Sequence, residues 1–318
     1  MPESAKPQRR IEHYVAPVIE EQPPTDAVRV SGKPSNLWRD AWYDLRRRPL
    51  FWISMAIVAV ILLMAVWPTL FTHTSPTDQC LLANQNGGPE PGHPLGFTFL
   101  GCDIYARIVW GARTSLSVGL LSTIIGSGIG LVMGALAGYY GGWLDSLLSR
   151  IGDVFFSIPY ILAAVVVMTV FAQYRNVLTM SLAIGGFAWA STARVVRAEI
   201  LRVRQAEFVT ASTALGLGRF KILTSHVLPN ALAPLLVLAT LAMAGGIVAE
   251  ATLTFLGVGM GGDVMSWGRD ISDAQRSLRI APMSLIYPSI ALTITVLAFI
   301  MLGELVRDAM DPRARATR

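Results

Sequence analysis

Charge is scarce in this sequence. Asp, Glu, Lys and Arg make up 15% of its 318 residues, where a soluble domain carries roughly a quarter. With 53% hydrophobic residues, and with the charges gathered between long uncharged stretches, an ordinary soluble globule is excluded and membrane spans are implied. Histidine is also rare. His13, His73, His93 and His226 are scattered through tail and loops, which argues against a metal site and against a membrane-embedded enzyme with clustered catalytic groups. No GxxxxGK run followed by Ser or Thr is present, so no ATP-hydrolysing phosphate loop is expected. No clear internal repeat and no buried carboxylate pair is visible, which disfavours a secondary transporter. Residues 1–35 lack the apolar core of a signal peptide. They are rich in Pro and charge, and a disordered tail is expected there.

Six apolar stretches account for what is there. The first, Leu50 to Phe71, carries no charge and at ~1.5 Å per residue is about 33 Å long, enough for a hydrocarbon core of ~30 Å. Trp52 and Trp67 stand near its ends, where aromatic rings favour the interface. A polar loop over 72–114 holds both cysteines. The second stretch runs from Ser115 to Tyr140 and places Gly126, Gly130, Gly134 and Gly138 four residues apart. That spacing makes one helix face on which another backbone can pack closely. The third, Val154 to Ala172, is expected to kink at Pro159. The fourth, Val177 to Ala193, is short and rich in hydroxyls. The fifth and sixth run from Asn230 to Leu253 and from Ser284 to Leu302. The core from 115 to 303 therefore holds five of six spans, with 36–49 an interfacial segment before the first and 304–318 a tail after the last.

The basic residues set the orientation. The net charge of +5 could suggest nucleic acid, but the Arg residues lie beside apolar spans and not on one face, so they read as topology signals. With both ends inside, the inner segments 1–49, 140–153, 194–229 and 303–318 hold 20 of the 26 Lys and Arg. Cys80 and Cys102 then share an outer loop. Two free thiols are one possibility; a bridge pinning the loop is the other, and an oxidising outer compartment favours the bridge. Glu250 is the one carboxylate within the apolar stretches and, near the outer end of the fifth, is placed at the outer mouth.

The inner segment 205–229 is amphipathic and basic. It reads as a helix, a turn at Gly216 and Gly218, and a second helical piece before Pro229, which is expected to open the next span. Its apolar residues Phe208, Val209, Leu215 and Leu217 suit either a partner's groove or the lipid surface.

Resemblance separates these two readings. The segment resembles the EAA loop of bacterial ABC importer permeases: Glu-Ala-Ala, three residues, Gly, nine residues, then Ile-x-Leu-Pro. Thr210, Ala211 and Ser212 take the first three places, Gly216 the glycine, and His226, Val227, Leu228 and Pro229 the last four. Thr210, Ser212 and His226 depart from the consensus letters. The stretches HPLGFTFLGCDIYARIVWGARTSL, GYYGGWLDSLLSRIGDVFFSIP, HVLPNALAPL, EATLTFLGVG, SWGRDI and LGELVRDAMDPR are similar to the C-type permease of dipeptide and oligopeptide importers. Two further departures are Cys102, where the family has Arg, and Ile300, where it has Asn.

This resemblance implies an all-α integral membrane protein with the type I ABC importer permease fold, in the bacterial cytoplasmic membrane, with both termini cytoplasmic. It implies a coupling helix at 205–218 that sits in a groove of an ATPase subunit and acts as a lever. Glu207, Phe208, Val209, Thr210, Ala211, Ser212, Leu215, Gly216, Leu217, Arg219 and Pro229 are the coupling residues, with Lys221 a further ion-pair candidate. The partners would be a second permease, two ATPase subunits that carry ATP and Mg, and an outer substrate-binding protein touching the loop 254–283 through Trp267, Arg269 and Asp270. The chain itself would bind no cofactor and no metal and would not be an enzyme. The cargo would be short peptides, or alternatively nickel chelates, glutathione or another small solute.

Overall fold

The computed structural model describes residues 37–78, 80–261 and 264–310. The tail expected over 1–35, and residues 311–318 of the final tail, lie outside the described residues. Helices dominate. α1 (Leu37–Leu45) is a short amphipathic helix, and α2 (Pro49–Val66) starts on a proline whose fixed φ suits a first helical turn. Arg48 between them pairs with Asp44 at 2.8 Å and with Asp308 of the last helix at 3.1 Å, which ties this elbow to the C-terminal end of the bundle.

α3 (Ile104–Tyr140) begins well before the expected Ser115 and is 37 residues long, or about 55 Å. Its start is fixed by Asp103, whose carboxylate accepts the N–H groups of Tyr105 and Ala106 at 2.7 and 3.2 Å. Arg107, within the stretch expected to be loop, is a buried helix residue. The third span is also different from expectation. Pro159 does not kink a helix; it separates two. α4 (Gly142–Ser157) and α5 (Tyr160–Val170) meet at 80°, because proline lacks the N–H that would continue the ladder and the residue before it is forced out of the helical region. α6 (Val177–Arg204) continues past the expected Ala193 for three further turns that carry Arg194, Arg197, Arg202 and Arg204.

α7 (Glu207–Ala214) follows, then α8 (Arg219–Ile222), a π-helical turn (Leu223–Val227) and α9 (Leu228–Phe255). Pro229 is the second residue of α9, where a proline suits a first turn, but α9 does not start afresh there. The helix already runs from Arg219, and the wider π turn, in which the Leu228 N–H bonds the Leu223 carbonyl five residues back, accommodates a proline inside it. α10 (Trp267–Ala274) is a short helix between α9 and α11 (Met283–Met310).

Among the described residues, four helices are long and apolar enough to cross a membrane: α2, α3, the run Arg219–Phe255, and α11. The bent pair α4–α5 makes a fifth if it counts as one span. α6 is the remaining one of the six expected. It has the length but not the hydropathy, because of the arginines in its second half.

Small residues join the central helices. A Cβ on Gly134 would stand 2.5 Å from the Ala193 carbonyl oxygen, one on Gly138 would stand 2.8 Å from that of Arg197, and one on Gly130 would stand 2.7 Å from Thr192 Cβ. Gly185 of α6 answers from the other side, its Cβ position 2.5 Å from the Ser122 carbonyl oxygen. The glycine face read from the spacing is therefore the seam between α3 and α6. Lipid tails are as apolar as leucine, so this packing, and not water exclusion, holds the two helices together. Gly134→Leu is expected to destabilise the purified protein by about 1–3 kcal/mol through overpacking, read as a fall in the midpoint of thermal unfolding in detergent. Gly128→Leu, on a face with no neighbour within 4 Å, is expected to leave the midpoint unchanged.

Candidate functional site

The two ends of the bundle are built differently. At one, α7 and α8 form a hairpin. α7 ends in a glycine-closed turn: Gly216 sits at φ +78°, its N–H bonds the Thr213 carbonyl at 3.0 Å, and the Leu217 N–H bonds that of Ser212 at 3.3 Å. These two bonds satisfy orphan carbonyls of α7, and the left-handed φ selects glycine. Space does not select it, since nothing lies within 4 Å of a Cβ built there.

One face of the hairpin is buried. Val209, Ile222, Leu223 and Val227 pack with Ala135 and Tyr139 of α3, with Val196, Ile200 and Val203 of α6, and with Ala231 and Leu235 of α9. Leu217 leans on the same cluster, and Ser212, also buried, bonds its hydroxyl to the Phe208 carbonyl at 2.7 Å. The other face is open. Leu215 is 82% exposed, Phe220 70% and Phe208 44%, alongside Glu207, Thr210, Ala211, Arg219 and Lys221. Two of the groove-filling residues expected from sequence are thus corrected. Val209, 5% exposed, fastens the hairpin inward, and Leu217 is half-buried beside it. Phe220, which the sequence reading passed over, is outward; its position one residue after Arg219 in a basic amphipathic piece was the available signal. Pro229 is exposed but belongs to the long helix and not to the hairpin tip. Between the hairpin and the end of α3 lies a 470 Å³ cleft lined by Tyr139, Tyr140, Arg204, Thr210, Thr213 and Arg219.

At the opposite end, polar groups are turned inward. Glu250 of α9 is fully buried. It accepts the hydroxyls of Ser115 of α3 at 3.1 Å and of Thr254 at 3.0 Å. The Ser115 oxygen in turn accepts the Trp267 backbone N–H at 3.2 Å, and the Trp267 indole donates to the Ile108 carbonyl at 2.9 Å. Arg107 of α3 pairs with Asp270 of α10, its Nε donating at 2.6 Å. Both side chains are about nine-tenths hidden or more. Burial pushes the Asp270 carboxyl above the usual carboxylate range, against the pull of the Arg107 guanidinium. Arg269 is held by Asp273 at 3.0 Å and stays partly open.

These positions correct the outer-mouth assignment. Glu250, Trp267 and Asp270 are inside the protein and present no surface to a soluble partner; of the four residues named for that role, Arg269 alone is accessible. Glu250 reads as peripheral in sequence because it lies near the end of an apolar run, but Ser115 and Trp267 close over it. Beside this clamp, Cys80 and Cys102 are bonded to each other, with Cα atoms 4.2 Å apart. Asp103, next in the chain, also holds His93 Nδ1 at 2.7 Å. The disulfide therefore fixes the loop to the residue that starts α3. Breaking the buried pair by Asp270→Ala is expected to cost about 3–5 kcal/mol, since Arg107 is left uncompensated. Replacing both, Arg107→Met with Asp270→Leu, is expected to recover most of that, as measured by thermal unfolding.

Residues 130–316 match the family described as the binding-protein-dependent transport system inner membrane component. Residues 36–89 match the N-terminal TM domain of oligopeptide transport permease C. The chain is 34% identical over 279 residues to the dipeptide transport system permease protein DppC of Alkalihalophilus pseudofirmus, covering 88% of this chain and 91% of that one. It is 33% identical over 290 residues to the oligopeptide transport system permease protein OppC of Bacillus subtilis, covering 91% and 94%. It is likewise 33% identical over 279 residues to the glutathione transport system permease protein GsiD of Pectobacterium atrosepticum, covering 88% and 92%. Among solved structures, an inward-facing form of the MetNI methionine ABC transporter is similar at 23% identity and a TM-score of 0.47, over 67% of this chain and 96% of that one.

Proposed function

Because the chain belongs to the family of binding-protein-dependent transport system inner membrane components, we propose that it forms one half of the channel of an ATP-driven importer of short peptides. The hairpin carries this reading. It offers three large apolar side chains, Phe208, Leu215 and Phe220, on a mount fastened to three long helices at once. An apolar patch of this kind marks a partner surface. A groove on an ATPase subunit is the partner that fits, and the basic cleft behind the hairpin suits an acidic side chain from the same subunit. The inner position of this end follows from the distribution of Lys and Arg.

The mechanism is mechanical. ATP and Mg are bound by two ATPase subunits, whose closure pushes the hairpin. The push enters α3, α6 and α9 together through Val209, Ile222 and Val227 and the residues they pack on. α3 and the run Arg219–Phe255, each 37 residues long, carry it to the other end. There Ser115, Glu250 and the Arg107–Asp270 pair pass it to α10, whose open Arg269 faces the substrate-binding protein. A second permease completes the channel. Peptides are the proposed cargo because relatives covering most of this chain are named for dipeptide and oligopeptide transport. Glutathione, itself a tripeptide, is the second reading, on the strength of a relative of equal similarity.

Leu215→Asp and Phe220→Asp test the docking face. Each is expected to weaken capture of the ATPase subunits by about 2 kcal/mol, roughly thirtyfold, and to lower ATP-dependent peptide uptake in proteoliposomes, with the unfolding midpoint unchanged because both positions are exposed. Uptake at the wild-type rate in the double variant would exclude the hairpin as the coupling element.

A further inference from the structure

The broken third span opens onto a cavity of 330 Å³ walled by α3, the α4–α5 elbow, α6 and α9. α5 is 11 residues long, about 16 Å, so the elbow lies near the middle of a ~30 Å hydrocarbon core. At that depth a lipid-facing break is not tolerated, because the backbone groups freed at the ends of two helices find no water to bond. The first N–H groups of α5 receive no side-chain cap. Non-helical backbone at this depth persists only where it is buried in protein or lines a water-filled space. The lining favours water. Ser122, Thr123, Ser127, Ser191 and Thr192 contribute hydroxyls, and no charged side chain is on the wall. Ser122 and Thr123 bond the Gly119 carbonyl of their own helix. Ser127 Oγ is hidden from bulk solvent and has no partner within the protein; a buried hydroxyl in that position calls for water or a ligand. Phe155, Phe156, Tyr160 and Phe187 supply apolar and aromatic surface.

We infer that this cavity is the section of the solute path that this chain contributes, filled with water at rest and occupied in transit by the peptide. This rests on the channel reading above. Ser127 and the free N–H groups at the start of α5 exchange hydrogen bonds with the peptide backbone, and the aromatic rings around the elbow contact its side chains. The wall recognises amides and apolar groups without a fixed charge, so it takes peptides of differing side-chain charge and holds none of them tightly.

Thiol labelling tests this directly. Cys80 and Cys102 are bonded to each other, so Ser127→Cys introduces a lone free thiol. Ile158→Cys, at the elbow, is a second probe should the first variant not fold, and Val166→Cys, on the exposed face of α5, reports the lipid side. The assembled importer in nanodiscs is treated with a small, charged, membrane-impermeant methanethiosulfonate, with and without a transported dipeptide. The expected result is reaction at Ser127→Cys and Ile158→Cys at least tenfold faster than at Val166→Cys, and slowed severalfold by the peptide during turnover. No reaction at either probe in any nucleotide state, or reaction that the peptide leaves unchanged, overturns the assignment. Wild-type uptake measured in parallel separates the two proposals. An importer that moves peptide with ATP but shows no labelling defeats this assignment alone, whereas one that moves none defeats the channel reading.

Discussion

The close seam of α3 on α6 is the contact on which the rest of the protein depends. Gly130, Gly134 and Gly138 bring the two backbones within reach of each other's carbonyls. Gly119 and Gly246 repeat the arrangement between α3 and α9, where the Cβ of Gly246 would stand 3.1 Å from the Gly119 Cα. α3 is therefore a hub against which both other long central helices lie with little side chain between. In lipid, where apolar side chains gain nothing by leaving their surroundings, such contact is what makes a bundle stiff. A stiff bundle is what a hairpin needs if motion at its tip is to be felt at the far end.

The two ends are built on that hub by different chemistry. The hairpin is attached by apolar packing, with Val209, Ile222 and Val227 as fasteners. α10 is attached by buried polar groups: an ion pair, a carboxylate with two hydroxyl donors, and an indole donating to a backbone carbonyl. Buried ion pairs contribute little net stability against apolar substitutes, but they are exacting in geometry. The clamp thus fixes where α10 sits more than it strengthens the fold. The disulfide beside it acts on the same point, since Cys102 precedes the residue that caps α3.

Much of this was legible in the sequence, for definable reasons. Four glycines in steps of four favoured a close-packing face over ordinary glycine tolerance in a membrane helix, and the glycine turn between two amphipathic pieces marked the hairpin. What failed were inferences in which a local signal was overridden by a distant partner. Residues 104–114 read as part of a polar loop, but Arg107 among them is paired with Asp270, far along the chain, inside the fold. Glu250 reads as peripheral until Ser115 and Trp267 enclose it. Pro229 reads as a helix start and is the second residue of α9, but the π turn before it makes the helical path continuous from Arg219. Val209 reads as outward because an eight-residue helix is too short for periodicity to decide which side is inward. The elbow at Pro159 was signalled, but its 80° angle was not, since the angle depends on what α4 and α5 pack against.

The account's central claim is that hairpin and α10 belong to one rigid unit spanning the bundle. Spin labels at Ala214 and at Gln275, placed in the assembled importer, measure it by pulsed electron resonance, since the bonded native cysteines take no label. The claim predicts the same intramolecular distance distribution in the nucleotide-free and ATP-trapped states, while the distance from Ala214 to the equivalent site on the second permease changes. A shift of the intramolecular distance on ATP trapping would mean that the hairpin moves on its own, and would contradict it.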